Sequence, residues 1–221
     1  MQELEVHKHT SAHDGDRPAH DSAEHWDARY SGDKIWSGNP NDALVTEVSE
    51  LEPGRALDVG CGEGADSVWL AKRGWDVTAL DISKNAMALT LNLAGRKGVE
   101  LTSVAAGLLD AALEPESFDL VSAMYSPLAR TPDRLAENRL IDLVKPGGQL
   151  LIVHHARLQA ENWDGHGPDP AKYLAPADIA EVALERGGWE TIVNETRGRK
   201  IAEGAGAHHA EDVVIRLRKT V

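Results

Sequence analysis

The sequence contains a single cysteine, Cys61, and therefore cannot form a disulfide within the chain. It also has no apolar run approaching the ~20 residues that a membrane-spanning helix needs. The polar, acidic N-terminus lacks the basic start and apolar stretch of a secretory signal. These absences favour a reducing compartment, and we predict a cytoplasmic protein without a membrane partner.

Basic residues are scarce, since 23 lysines and arginines stand against 36 aspartates and glutamates, for a net charge of -13. Such a surface repels phosphate backbones and anionic lipids, so we predict no nucleic-acid partner. The densest basic cluster before the C-terminus, at 197–200, is explained most simply as a solvated loop. The expected partner is a small molecule, and the chain is expected to be a monomer or a homodimer.

Residues 1–25 show almost no apolar periodicity and are rich in histidine and aspartate. Such a composition cannot bury enough surface to offset the entropy of ordering, so we predict a flexible tail. No cysteine lies nearby, and the histidines have no compact ligand spacing, so we predict no metal site. These histidines are His7, His9, His13, His20 and His25.

Residues 26–221 suit one domain and alternate between strand and helix patterns. Strands are predicted near 55–59, 75–80, 99–104, 118–124, 149–154, 190–195 and 212–217. Helices are predicted near 42–51, 65–73, 83–97, 131–144 and 177–186, the fourth with Pro132 at its first position. This order predicts an α/β fold with parallel strands and a ligand beyond their C-terminal ends.

A glycine-rich turn at 58–64 follows the first strand and opens a helix. Gly60 and Gly62 allow the backbone to approach a ligand closely. The spacing is G-x-G-x-G, whereas dinucleotide sites use G-x-G-x-x-G to hold a pyrophosphate. Asp58 would repel a pyrophosphate but suits a cation, and S-adenosylmethionine (SAM) carries an ammonium and a sulfonium. The turn therefore favours SAM over NAD(P).

A second acid, Asp81, ends the second strand, about twenty residues after Gly60. A carboxylate in this place can accept hydrogen bonds from both ribose hydroxyls of a nucleoside. It can also act as a simple capping acid before Ser83. The distance between the turn and this acid favours the cofactor interpretation.

Four segments together resemble the motifs of the class I SAM-dependent methyltransferases, namely 57–64, 81–83, 117–121 and 145–148. The resemblance implies a Rossmann-like, mostly parallel sheet of seven strands, with the last strand antiparallel and helices on both faces. It implies that Asp58, Gly60, Cys61 and Gly62 surround the methionyl part of SAM and that Asp81 binds the ribose. It further places Ile82 on the adenine, and Met124 and Tyr125 on the methyl-transfer side.

The chain departs from this family at Gly107, where an acid often binds the adenine amino group. Either Asp110 or the backbone of Gly107 and Leu108 can replace that acid. Segments 26–30 and 35–40 resemble the N-terminal region of the thiopurine, halide/thiol and tellurite-resistance (TehB-like) methyltransferases, which covers the cofactor. Residues 26–40 are thus a candidate lid in which Trp26 and Trp36 shield the sulfonium and Arg29 also contacts the cofactor. Alternatively, both tryptophans are packing anchors.

The acceptor side offers weaker candidates. His154 and His155 end the fifth strand, where either can serve as a base, although strand-end histidines are more often structural. Arg197, with His208 or His209, would suit an anionic acceptor. Tyr125 is a fourth catalytic candidate, whereas Cys61 needs only to be small and buried.

The sequence therefore predicts transfer of a methyl group from SAM to a small molecule. A thiol, a halide or an oxyanion is one candidate acceptor that would need no base, because methyl transfer depends mainly on positioning. Carboxyl, hydroxyl and amine acceptors stay open. Two other functions also stay open: a SAM-binding regulatory protein without turnover, and an NAD(P)-dependent oxidoreductase.

Overall fold

The computed structural model describes residues 22–156, 169–198 and 210–221. Seven strands form one sheet in the order β3-β2-β1-β4-β5-β7-β6. Neighbours from β3 to β5 pair in parallel, while β7 is antiparallel to both β5 and β6, as predicted. The strands are β1 Arg55–Val59, β2 Asp76–Asp81, β3 Thr102–Ala105, β4 Phe118–Met124, β5 Val144–His155, β6 Trp189–Gly198 and β7 Glu211–Lys219.

Helices cover both faces of this sheet. They are α1 Ala23–Arg29, α2 Asp42–Val48, α3 Ala65–Lys72, α4 Lys84–Lys97, α5 Leu135–Leu143 and α6 Pro176–Arg186. On one face α5 and α6 pack against alternate strand residues, among them Val121 and Ile215. On the other face α2 and α3 pack against the intervening residues, such as Leu120 and Leu151. The alternation of buried residues along each strand therefore builds two cores.

Local signals explain several helix ends. The Ser83 hydroxyl accepts a hydrogen bond from the Ala86 amide (3.1 Å) and caps α4, which ends at the left-handed Gly98 (φ 66°). The prediction for α5 was wrong at its start, because this helix begins at Leu135 after Arg134 (φ 52°). Residue Thr131 instead accepts a hydrogen bond from the Leu135 amide, so the segment around Pro132 forms a turn.

The first described helix begins before residue 26. Helix α1 begins at Ala23, and the Ser22 hydroxyl accepts a hydrogen bond from the His25 amide (3.1 Å). The boundary predicted at residue 25 thus falls within α1, while residues 1–21 lie outside the described part. Among the described helices, none is both long and apolar enough to cross a membrane.

Candidate functional site

The glycine turn lies at the C-terminal end of β1 and is tied to β2. The amides of Gly60 and Cys61 both donate to the Leu80 carbonyl, at 2.8 and 3.1 Å. Gly60 (φ 71°) and Gly62 (φ 55°) are left-handed, a conformation that favours glycine. An added Cβ would lie 2.5 Å from the Ser126 hydroxyl at Gly60 and 2.8 Å from the Tyr30 hydroxyl at Gly62. Both glycines are therefore required by backbone angle and by space.

Asp81 organises this turn as well as the helix after it. Its Oδ2 accepts a hydrogen bond from the Gly62 amide and its Oδ1 accepts one from the Ser83 amide, both at 2.9 Å. Burial raises the pKa of this carboxyl, against the opposing effect of these two bonds. Each carboxylate oxygen has a further lone pair, so Asp81 can still accept from a ribose hydroxyl. The capping and cofactor interpretations are compatible.

Asp58 is a buried acid beneath the turn, only 2% exposed. The Ser67 hydroxyl donates to its Oδ2 at 2.6 Å. Burial and the neighbouring Asp66 carboxyl raise the pKa of Asp58 to about 7. Asp66, also buried, accepts hydrogen bonds from the backbone and side-chain amides of Asn41, both at 2.7 Å. The two buried carboxyls thus lie close together, and a bound cation would favour their ionised forms.

The residues predicted to contact the adenine lie close to one another. A Cβ on Gly107 would lie 3.2 Å from the Asp110 carboxylate and 3.7 Å from the Ile82 side chain. Glycine here thus leaves room between an acid and an apolar residue. The Leu108 side chain packs into the α5–α6 core, so only its backbone can face a ligand.

Residues 26–40, here called the covering segment, lie over the glycine turn. The Tyr30 ring stacks on Trp26 with ring centroids 5.9 Å apart, and its hydroxyl accepts a hydrogen bond from Trp36 Nε1 (3.1 Å). The Arg29 guanidinium lies 5.8 Å from the centroid of the Trp36 ring. The Glu63 carboxylate of the turn accepts a hydrogen bond from the Ile35 amide (2.7 Å). The segment is therefore bound to the turn that it covers.

Asp27 is a functional candidate that the sequence analysis missed. Its carboxylate accepts hydrogen bonds from the Ser83 hydroxyl (2.6 Å) and the Asn85 amide (3.1 Å), at the start of α4. These bonds lower the pKa of Asp27. The Asn85 side-chain amide donates in turn to the Asp27 carbonyl (2.8 Å). Asp27 thus fastens α1 to the helix that follows Asp81.

On the acceptor side, three polar residues meet beyond the ends of β4 and β5. The Tyr125 hydroxyl donates to Asp212 Oδ2 (2.7 Å), and His155 Nδ1 lies 3.1 Å from Asp212 Oδ1. The Tyr125 and His155 rings stack with centroids 4.5 Å apart. His154 contacts Tyr125 edge-on at 6.2 Å, whereas Met124 packs into the α2–α3 core. Sequence reasoning proposed the tyrosine and the histidines but missed Asp212.

Arg197, predicted to suit an anionic acceptor, is paired with acidic side chains. Its guanidinium is paired with Glu195 on the same strand and with the buried Glu47 of α2. Glu47 also pairs with Arg216 at 3.0 Å. Arg197 therefore belongs to an ion-pair network between α2 and the β6–β7 strands and is not available for an anionic acceptor. His208 and His209 lie outside the described residues.

Cys61 has the environment of a structural residue. Burial raises the pKa of its thiol well above the ordinary value, and the sulfur lies 3.7 Å from the Thr90 hydroxyl. Thr90 itself donates to the Gly62 carbonyl at 2.9 Å. A thiol held in this way is a poor nucleophile. In the described ranges no group of three or more His, Cys, Asp or Glu residues is arranged to hold a metal ion.

Comparison with known sequences identifies related proteins. A family model described as a methyltransferase domain matches residues 56–148. The ubiquinone biosynthesis O-methyltransferase of Aeromonas salmonicida is 36% identical over 184 residues, which are 76% of this chain and 72% of that relative. The ribosomal RNA small subunit methyltransferase C of Alcanivorax borkumensis is 32% identical over 123 residues, with 51% of this chain and 35% of the relative covered. The chain spans 53% of a further relative, hemagglutinin 1 of Eikenella corrodens, at 28% identity over 78% of this chain.

Solved structures share the fold. One of them is described by the words "conversion of a disulfide bond into a thioacetal group during echinomycin biosynthesis". Its TM-score is 0.70 at 25% identity, and the match covers 89% of this chain and 92% of that chain. The N-methyltransferase NodS from Bradyrhizobium japonicum WM9, solved with S-adenosylhomocysteine, has a TM-score of 0.67 at 17% identity, with 91% of this chain and 100% of that chain covered.

Proposed function

The chain belongs to the class I SAM-dependent methyltransferases, and on that basis we propose that it methylates a small molecule. Its cofactor is SAM, which leaves no place for the NAD(P) alternative. The proposal that the acceptor is small rests on the covering segment, because the Tyr30 hydroxyl and the Trp36 ring lie directly over Gly62. A covered turn limits access to compact acceptors, whereas a nucleic acid would need an open, basic surface. The net charge of -13 is unfavourable for RNA.

The residues around the turn suit the chemistry of SAM, which supplies an electrophilic methyl group on a sulfonium when bound. Gly60 and Gly62 let the backbone approach the methionyl part, and Asp58 offers buried negative charge to its cations. Asp81 is placed to accept from ribose hydroxyls. Burial raises the pKa of Asp58 to about 7, and a bound cation would offset the cost of its ionised form.

Other residues would hold the rest of the cofactor. Ile82 and the backbone at Leu108 would flank the adenine, with Asp110 in place of the missing acid. Trp26, Arg29 and Trp36 would form the cover, the feature that the chain would share with the thiopurine, halide/thiol and tellurite-resistance methyltransferases. These assignments support a site that closes over its cofactor and excludes water.

The acceptor end favours an enzyme over a regulatory protein that only binds SAM. Tyr125 has a φ of 56°, which a non-glycine residue rarely adopts, and its hydroxyl reaches Asp212. Strained backbone beside a polar cluster is typical of sites that do chemistry. A SAM-binding regulator would not need such a cluster there. We also propose a cytoplasmic monomer or homodimer without nucleic-acid or membrane partners.

Calorimetry and labelled-methyl transfer test the proposal. SAM and S-adenosylhomocysteine should bind in the micromolar range, without comparable binding of NAD. Methyl-labelled SAM should then label a small molecule from a panel of phenols, amines, thiols and iodide, and not small-subunit ribosomal RNA. Asp81→Ala should lower labelling at limiting SAM by about tenfold or more, and Asp133→Asn, at an exposed aspartate, should not. Labelling of RNA alone, or tighter binding of NAD than of S-adenosylhomocysteine, would contradict the proposal.

A further inference from the structure

Asp212 joins two side chains that sequence reasoning treated separately. It lies at the start of β7, only 8% exposed, and faces His155 across the β5–β7 pair. One carboxylate oxygen accepts from the Tyr125 hydroxyl, and the other lies 3.1 Å from His155 Nδ1. The three residues come from the ends of β4 and β5 and the start of β7. In open α/β sheets this edge is where ligands bind.

The cluster lies next to the cofactor turn. Ser126, which directly follows Tyr125, donates its hydroxyl to the Val59 carbonyl and would touch a Cβ placed on Gly60. The Tyr125 amide donates to the Val153 carbonyl at 2.8 Å, which fixes its backbone against β5. The polar cluster is therefore held at a constant position relative to the turn.

The carboxylate also determines the state of the imidazole. An ionised carboxylate only accepts hydrogen bonds, so a neutral His155 facing it carries its proton on Nδ1. The basic lone pair is then on Nε2, the nitrogen that can remove a proton from an acceptor. A negative charge at Nδ1 also stabilises the imidazolium that results, as in hydrolase triads.

We propose that Asp212 is a positioning residue that makes His155 the general base, and that the acceptor therefore carries an ionisable O–H or N–H group. This inference rests on the proposed function. The acceptor oxygen or nitrogen forms a bond to the methyl carbon while the carbon–sulfur bond breaks, and that electron pair stays on sulfur. The acceptor proton moves to His155 Nε2 and is later released to water. The Tyr125 hydroxyl keeps the second oxygen of Asp212 occupied and so holds the carboxylate in place.

This acceptor class differs from the thiol, halide or oxyanion that the sequence analysis named as one candidate. An ionised acceptor needs no base, so it gains nothing from an imidazole held by a buried carboxylate. A phenol, alcohol or amine gains about 10²–10⁴-fold from a positioned base. The distinction can be measured because the two classes respond differently to the same variant.

Kinetics on two probes test the inference. The first is 3,4-dihydroxybenzoate, which must lose a proton, and the second is 4-nitrothiophenol, which is already ionised at the assay pH. Asp212→Asn and His155→Gln should each lower kcat on the first probe by roughly 100-fold or more and change transfer to the second less than about threefold. Asp76→Asn, the same change at the opposite edge of the sheet, should affect neither. Equal losses on both probes would show that Asp212 is merely structural and would overturn the inference.

The tautomer gives a readout that does not depend on turnover. Long-range ¹H–¹⁵N spectra of the S-adenosylhomocysteine complex should show His155 protonated on Nδ1 in the wild type. In Asp212→Asn the single amide oxygen is taken by Tyr125, so the amide N–H₂ faces the ring and the proton should move to Nε2. If that variant fails to fold, the wild-type tautomer and the kinetics of His155→Gln on the two probes still test the inference.

The outcomes separate this inference from the proposed function. An Nε2-protonated wild-type ring, or transfer to 4-nitrothiophenol alone, overturns the base and leaves small-molecule methylation intact. Transfer to no small molecule, with S-adenosylhomocysteine still bound, contradicts the proposed function and the inference with it. Transfer to 3,4-dihydroxybenzoate that depends on Asp212 and His155 supports both.

Discussion

Asp58 is a buried carboxyl whose pKa is raised from its ordinary value of 3.8 to about 7. Since one pKa unit corresponds to about 1.36 kcal/mol, the shift amounts to roughly 4 kcal/mol against the ionised form. The causes are burial and the neighbouring Asp66 carboxyl, and the Ser67 hydroxyl bond offsets them only in part. Replacing Asp58 by Asn removes the charge and keeps an oxygen that can accept from Ser67.

The sign of the pH dependence follows from this shift. Because the folded pKa lies above the unfolded one, the folded state binds the proton more tightly. The wild-type free energy of unfolding should therefore fall as the pH rises from about 4 to about 7 and level off above. Asp58→Asn lacks this loss, although its amide N–H₂ needs a partner, at a cost of about 1–3 kcal/mol. That amide cost is the same at both pH values, so from pH 4 to pH 8 the stability of the variant relative to the wild type should rise by roughly 4 kcal/mol.

Urea unfolding at pH 4, 6 and 8 measures this difference without ligand, and calorimetry measures S-adenosylhomocysteine binding. The same substitution should weaken binding at pH 8 by about tenfold or more, because the ammonium loses a charged partner. Asp133→Asn, at an exposed aspartate, controls for the chemical change. A stability difference independent of pH would refute the reasoning about burial. Unchanged binding would refute the placement of Asp58 beside the cations.

Three further predictions concern the turn and its cover. Asp81→Ala should weaken S-adenosylhomocysteine binding by roughly 1–3 kcal/mol in calorimetry, because it removes the carboxylate that accepts hydrogen bonds from the ribose hydroxyls and the Gly62 amide. Unchanged affinity would mean that Asp81 acts only as a capping acid. Gly62→Ala should lower the free energy of unfolding in urea by about 1–2 kcal/mol, since its Cβ meets the Tyr30 hydroxyl at a left-handed φ. An unchanged free energy would mean that the covering segment moves aside freely. Hydrogen exchange across 26–40 should slow when S-adenosylhomocysteine is added and speed up in Asp27→Ala, and protection confined to the turn would exclude a lid.

Much of the cofactor site could be predicted because its signals are local. Gly60 and Gly62 need backbone angles that glycine tolerates, and Asp81 follows its strand directly. The alternation of strand and helix determines the parallel sheet, since each buried strand and its helix need a short crossover. The predictions of SAM and of the fold were confirmed. The predicted start of α5 was wrong because residues 131–134 form a turn before the helix, although proline is common at the first position of helices.

The acceptor side could not be predicted in the same way. Arg197 looked available in a basic segment, but its partner Glu47 is 150 residues away in the sequence. The pairing depends on α2 packing against the end of the sheet. Burying Glu47 without a cation would be costly, so the tertiary structure commits the arginine to that partner.

The sequence by itself determined the cofactor class and the positions of the strands along the chain, because turn geometry and hydrophobic periodicity act over a few neighbouring residues. Only the tertiary structure decided that Asp27 binds the start of α4 and that Asp212 joins Tyr125 to His155, which lie 87 and 57 residues away from it. A single aspartate in a helix or at a strand start carries no local signal of its partner. Its role is set by which chain segments the two cores bring within hydrogen-bonding distance of its carboxylate.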